Sequence, residues 1–254
     1  MRTLLFSIGL ALPAAALQDP APVQDARPEV KALVDQLDGH AGKRGKEDRE
    51  AIEVIDKLLI EFRKSGPKDR ELIVKGLDKC FTEKRQESAE GVPDNQLYLA
   101  AATALGEMAP ESVPVFLEWI GHKSHRRDTA LQRTLILKLG KAKSEEGRRP
   151  LIKLLTDKEA QIQGAAAEAL GEYDGADIKV RKEVFEELLK LLTSVKGMVD
   201  TDPNDTIARE RYDVIAAPII TSLQRLSKHQ EHDPAEWQRW WNKNKRDNWD
   251  ELGQ

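Results

Sequence analysis

The sharpest local cluster is Asp200-Thr201-Asp202-Pro203-Asn204-Asp205, because oxygens at alternate positions are how a tight loop directs several ligands at calcium. Asp200, Asp202 and Asn204 match positions one, three and five of an EF-hand loop. Asp205 stands where that turn requires glycine, and Arg211 stands where the closing glutamate belongs. The loop therefore reads as a polar insertion whose Asp205 or Asn204 caps the next helix. Two histidine pairs, His122 with His125 and His229 with His232 beside Asp233, have a gap that suits one metal. Zinc requires at least three protein ligands, and neither pair has a third nearby in sequence, so both read as surface and no metal is assigned. Cys80 is the single cysteine and lies in the apolar run 72–81. A lone thiol makes no internal disulfide, and in that setting it reads as a small core residue, not a nucleophile.

Trp237, Trp240 and Trp241 share one helix face at i, i+3 and i+4, after a start signal of Asp233 as cap, Pro234 at the first position and Glu236 at the third. With Trp249 they put four of the five tryptophans into the last 18 residues. Two uses compete, a platform on which a ligand stacks and a lid over an apolar end, and the lid is favoured because large rings cover much area. Gly39–Asp48 carries glycines and lysines without phosphate-loop spacing and reads as a solvated connection. No nucleophile elbow and no supported Cys–His pair appears, so no catalytic residue and no cofactor is assigned and the chain is expected not to be an enzyme.

The elements that must position these residues are helices. Five segments align on a late leucine, each a stripe at i, i+3, i+4, i+7, i+8 and i+11: 51–62, 97–108, 131–142, 162–173 and 215–226. The late leucines are Leu59, Leu105, Leu139, Leu170 and Leu223, at steps of 46, 34, 31 and 53 residues, the long steps holding polar insertions at 83–93 and 197–205. Second helices are expected at 68–82, 111–121, 147–156 and 178–195. A period of 30-odd residues made of helix pairs predicts an all-α solenoid of about five units, each covering its apolar face on its neighbours. Alanine recurs where one helix of a pair is squeezed between others. Gly106, Gly140 and Gly171 are expected to close helices, Pro114 and Pro150 to sit in first turns, and Pro218 to kink or break the last stripe helix. Residues 28–38 are expected to form a short amphipathic cap.

The phrases Ala-Ala-Ala-Thr-Ala-Leu-Gly-Glu, followed by Glu-Ser-Val-Pro-Val-Phe-Leu, and Ala-Ala-Ala-Glu-Ala-Leu-Gly-Glu, followed by a leucine-rich helix, resemble HEAT repeats, most closely over residues 94–195. The resemblance implies an armadillo-like helical stack and leaves function open. It also brings in a second class of function, that of the HEAT-like lyases that attach tetrapyrroles to cysteines of other proteins.

The ends set the compartment. Met1-Arg2, the apolar run 3–12 and Ala14-Ala15-Ala16 form a secretory signal peptide, residues 1–16, with cleavage expected near Ala16; its apolar core is too short to span a bilayer. Export implies a periplasmic or secreted protein. Residues 17–27 read as a disordered linker, 28–246 as the solenoid with 234–246 its tryptophan-rich capping helix, and 247–254 as a tail. Cleavage removes Arg2 and moves the formal charge from −4 to −5, which argues against a nucleic-acid partner. The expectation is a monomer of the envelope or exterior, without a membrane span in the mature chain. It binds a protein or peptide along its second helices, with Glu118, Trp119, Lys153 and Lys190 in one wall. A calcium-dependent envelope module resting on residues 200–205 is a further alternative.

Overall fold

The computed structural model describes residues 25–85 and 94–252, and every regular element among them is helical. Residues 1–24, which hold the expected signal peptide and most of the linker, lie outside that range, as does 86–93 of the first insertion. The α-helices are α1 Pro28–Ala41, α2 Asp48–Phe62, α3 Pro67–Cys80, α4 Gln96–Leu105, α5 Val113–Trp119, α6 Thr129–Lys141, α7 Glu145–Leu154, α8 Ala160–Leu170, α9 Ile178–Thr201, α10 Thr206–Ser227 and α11 Pro234–Asn244. A 3₁₀ turn, Gly171–Gly175, follows α8.

The even-numbered helices carry the five apolar stripes and pack side by side as one layer, with the odd-numbered helices against them. Leu105, Leu139, Leu170 and Leu223 are all fully buried, so successive stripes face the same core; in the first unit Leu58 takes that place and Leu59 is half-buried. The result is a solenoid-like stack. Its pairing differs in frame from the sequence reading, because each odd helix packs more closely on the even helix that follows than on the one before. The pairs are thus α1/α2, α3/α4, α5/α6, α7/α8 and α9/α10. Helix α1 is the odd partner of α2, not a separate cap, and α11 lies on α9.

Glycine in the Leu-Gly phrase serves space, not turn geometry. Gly106 and Gly171 follow their helices with ordinary right-handed φ of −61° and −62°, and Gly140 lies inside α6. A Cβ on Gly140 would sit 2.6 Å from the Ala169 backbone in α8, one on Gly171 would sit 2.5 Å from Ser222 Oγ in α10, and one on Gly106 would sit 2.4 Å from the Lys138 side chain in α6. Gly140 and Gly171, with the neighbouring alanines, form a seam along which α6, α8 and α10 approach closely, while Gly106 lies under the Lys138 side chain of α6. Surface ion pairs cross the same layer at Lys141–Glu107, 2.5 Å, and Arg133–Glu168, 2.8 Å.

Expectations about a break at Pro218, the place of Pro150 and the ends of two helices are corrected. Pro218 does not break α10, which is continuous through it. The carbonyl of Val214, which Pro218 cannot satisfy with an N–H, faces Gly164 of α8, where a Cβ would lie 3.3 Å away. Pro114 is in the first turn of α5, as expected, but Pro150 lies in the interior of α7. Helix α9 runs on to Thr201, so Gly197–Thr201 of the second insertion is helical; α1 likewise runs three residues past the expected 38.

Both ends are pinned. Asp25 accepts hydrogen bonds from the Lys68 and Asp69 amides at the start of α3, at 3.2 and 2.8 Å. Arg27 donates to Glu61 at 2.8 Å, Asp69 at 3.0 Å and Ser65 at 2.6 Å. The last three residues assigned to the linker are therefore part of the fold. At the other end Trp249 is 2% exposed, and Asp250 pairs with Arg181 at 2.7 Å and Lys228 at 2.8 Å, so the tail belongs to the core up to that point.

Candidate functional site

Consecutive packed helices joined by short connections run antiparallel, which gathers the odd-to-even connections on one edge of the stack. On that edge the α3–α4 and α5–α6 connections enclose a cleft of about 820 Å³. Its floor is aromatic. Tyr98 of α4 meets His125 edge-on at 4.7 Å between ring centroids, Trp119 of α5 lies 5.4 Å from both His125 and Phe81, and His122 meets Trp119 edge-on at 4.6 Å.

Three floor residues are fixed by polar anchors. Trp119 donates its Nε1–H to Asp78 at 2.6 Å. His125 Nε2 lies 2.7 Å from the Phe81 carbonyl, which only accepts, so the proton sits on Nε2. Tyr98 donates to the Glu83 carbonyl, and burial pushes its phenol up to about 12. The α5–α6 connection is held by Gln132, which takes the Gly121 amide at 2.7 Å and donates to the Trp119 carbonyl at 3.2 Å. Asp128 caps α6 through the Leu131 amide at 3.0 Å and accepts from Asn95 at 2.9 Å, tying the two connections together.

The wall of the cleft includes Arg85, whose side chain is 4% exposed. Its Nε pairs with Asp48 Oδ2 at 3.0 Å, Nη1 donates to the Ala41 carbonyl at 3.1 Å, and its guanidinium lies 5.6 Å over the Tyr98 ring. Among the described residues Nη2 has no partner. Burial raises the Asp48 carboxyl above its ordinary value; Arg85 works against that shift and Asp94 adds to it. Lys84, Lys123, Arg126 and Arg127 are exposed at the rim. The 42–47 connection adjoins this wall, since Gly45, at φ +96°, brings its Cα within reach of the Arg85 and Asp94 side chains.

His125 was expected at the surface and is instead 8% exposed, a structural part of the cleft. Trp119 is buried as well, so it is the floor of this cleft and not the outer wall of a groove. Glu118, Lys153 and Lys190 are exposed on their helices. Lys153 borders a separate apolar groove of about 480 Å³ between α5 and α7, lined by Leu117, Ile120, Pro150 and Leu154.

The other candidate residues are engaged elsewhere. Asp200 is helical and pairs with Lys196, Asp202 accepts from the Asn204 amide at 3.0 Å, and Asp205 caps α10 through the Ala208 amide at 3.0 Å, as its position suggests. Among the described residues no group of three or more His, Cys, Asp or Glu side chains converges on a point that a metal would occupy. His229 stacks on Trp240 with ring centroids 5.2 Å apart, while His232 is exposed. Trp237, Trp240, Trp241 and Trp249 surround Phe185 of α9, with centroids between 5.1 and 5.6 Å from it, and Trp237 is fully buried. Trp249 is buried as well, while Trp240 and Trp241 stay half-buried. Cys80 is 1% exposed, and burial raises its thiol to about 12.

Sequence reasoning missed the cleft because its parts come from two helices, α4 and α5, and two connections. The signal available was the run His122–Arg127, which places three cations and two imidazoles in six residues directly after a tryptophan-bearing helix. Comparison with known proteins returns no match: no family model, no curated protein and no solved structure aligns with the chain. No helix among the described residues is long and apolar enough to cross a membrane.

Proposed function

We propose that this protein is a non-catalytic binding module of the cell envelope or exterior that receives a protein or peptide partner on the edge of a short HEAT-like stack. The observation that carries the reading is the cleft over Trp119: concave, of ligand-pocket size, with a fixed aromatic floor and a rim of exposed cations. Every floor side chain is locked by a hydrogen bond or by packing, so little conformational freedom is lost when something binds, which favours affinity. A stacked-helix scaffold suits the task because it holds connections from separate units at fixed spacing. The exported location rests on residues 1–16.

The test is cross-linking in envelope extract with the mature protein carrying a photoreactive group at Ser124, beside the cleft. Capture of a defined partner that free protein competes away is the expected result. Retention of nothing under mild conditions counts against the assignment.

A further inference from the structure

We infer that residues 247–252 are a strap that closes a socket for an aromatic side chain followed by a carboxylate, and that a segment of a partner protein carrying this pair displaces the strap. The socket is built by α9, α11 and the end of α10. It shares no residue with the cleft over Trp119, so the inference goes beyond the reading above. In the structure its occupant is Trp249 with Asp250. The Trp249 ring is 2% exposed and lies 5.1 Å from Phe185, 5.2 Å from Trp240 and 6.0 Å from Trp241 between centroids. Asp250 accepts from Arg181 Nη2 at 2.7 Å and from Lys228 Nζ at 2.8 Å, and Lys182 Nζ donates to the Asp247 carbonyl at 2.7 Å. Three cations of the stack thus face a strap whose charged side chains, Asp247, Asp250 and Glu251, are all negative.

Two observations separate this strap from ordinary core. Its main chain bonds only within itself and to the end of α11: the Asp247 amide to Asn244, the Glu251 amide to Asn248 and the Leu252 amide to Trp249. Among the described residues, lifting it off α9 and α10 therefore breaks no backbone-to-backbone hydrogen bond. The attachments to those helices are one ring, one carboxylate and one carbonyl, and segments held so lightly open ahead of the rest of a fold. The second observation concerns Arg181, whose side chain is 2% exposed and whose Nη1 donates to the Leu226 carbonyl at 3.2 Å. Asp250 is the only carboxylate it pairs with among the described residues, and that side chain is 49% exposed, so the position it fills is reached from solvent. With the strap lifted, a buried guanidinium lacks its counter-charge and the Phe185 ring is uncovered. A small anion restores the first and an apolar group the second; only a ring and a carboxylate on adjacent residues restore both.

The experiment uses the whole mature chain and fluorescence anisotropy of a labelled peptide copying residues 247–252. The double variant Trp249→Ala, Asp250→Asn, which keeps the chain at full length and empties the socket, is expected to bind this peptide at least tenfold more tightly than wild type, whose own strap competes. Its melting temperature, lowered by loss of the ring and the ion pair, is expected to rise again with added peptide. Asp250→Asn alone, which leaves the ring in place, is expected to show the same order at a smaller ratio and serves if the double variant does not fold. Peptides carrying Trp249→Ala or Asp250→Lys are expected not to bind. Absence of peptide binding to the variants overturns the inference, as does equal binding to wild type and variants, or binding that survives either peptide substitution. Sedimentation of wild type at rising concentration is expected to show no association. Self-association that the double variant lacks makes exchange of straps between two copies the use of the socket, and overturns the partner segment. None of these failures touches the cleft over Trp119.

Discussion

Cys80 and Glu61 show how a residue's surroundings set its chemistry. Burial holds the Cys80 thiol near 12, so almost no thiolate exists at neutral pH and its Sγ faces the Gly76 carbonyl at 3.8 Å. The native protein is therefore expected to be inert to a chromogenic disulfide reagent and to react fully in denaturant; rapid native reaction would contradict the buried placement. Glu61 lies below its ordinary carboxyl value of 4.5, chiefly through its hydrogen bond from Arg27. A lowered folded-state value means that Glu61 stabilises the native state above the ordinary carboxylate range and loses that contribution as pH falls through it. Urea midpoints measured from pH 6 down to pH 3 are expected to fall less steeply for Glu61→Gln than for wild type. The core role of Cys80 and the caps at Asp205 and Asp233 were legible from sequence, because each depends on neighbours within a few positions. The anchoring of Asp25 and Arg27 was not, since their partners lie 34 to 44 residues away and the local composition is that of a linker.

Among elements, the stripes predicted every even helix, and the seam explains why they are written with small residues. Gly140→Ala improves helix propensity by up to about 1 kcal/mol, yet its Cβ would meet the Ala169 backbone, and overpacking of that kind costs about 1–3 kcal/mol. A net loss in denaturant stability is expected. Gly39→Ala in α1 meets nothing within 4 Å and is expected to gain about 0.5–1 kcal/mol, which isolates the packing effect from propensity. The Leu-Gly ending was visible in the sequence, but its purpose was not: turn geometry and close approach both call for glycine, and only the neighbouring helix distinguishes them. Helix α10 repeats the point, as Pro218 is accommodated by what α8 places opposite it. For α11, Trp237→Ala removes a fully buried ring from the lid and is expected to cost about 3–5 kcal/mol, against a clearly smaller loss for the half-buried Trp241. Equal, small losses at both positions would speak for a ligand platform.

At the scale of the whole molecule, a helix in the stack touches its neighbours and little else. Stability is then a sum of local interfaces, and opening starts at the ends. Native-state hydrogen exchange is expected to be slowest in α4, α6 and α8, which have even helices on both sides, and faster in α1 and α11. Uniform exchange across all helices would show one cooperative unit instead. The stacked architecture was readable from period alone because repetition amplifies a weak signal. The cleft was not, because it arises only when connections from different units meet at one edge, and a frame shifted by one helix hides which connections those are.

The glycine seam also sets how the molecule can flex. Even helices locked together along it act as the pivot of a hand fan, whereas the odd helices, held through longer side chains, are its ribs. The Trp119–Asp78, His125–Phe81 and Asn95–Asp128 hydrogen bonds cross between those ribs, so the mouth over Trp119 follows the curvature of the stack only as far as these bonds give.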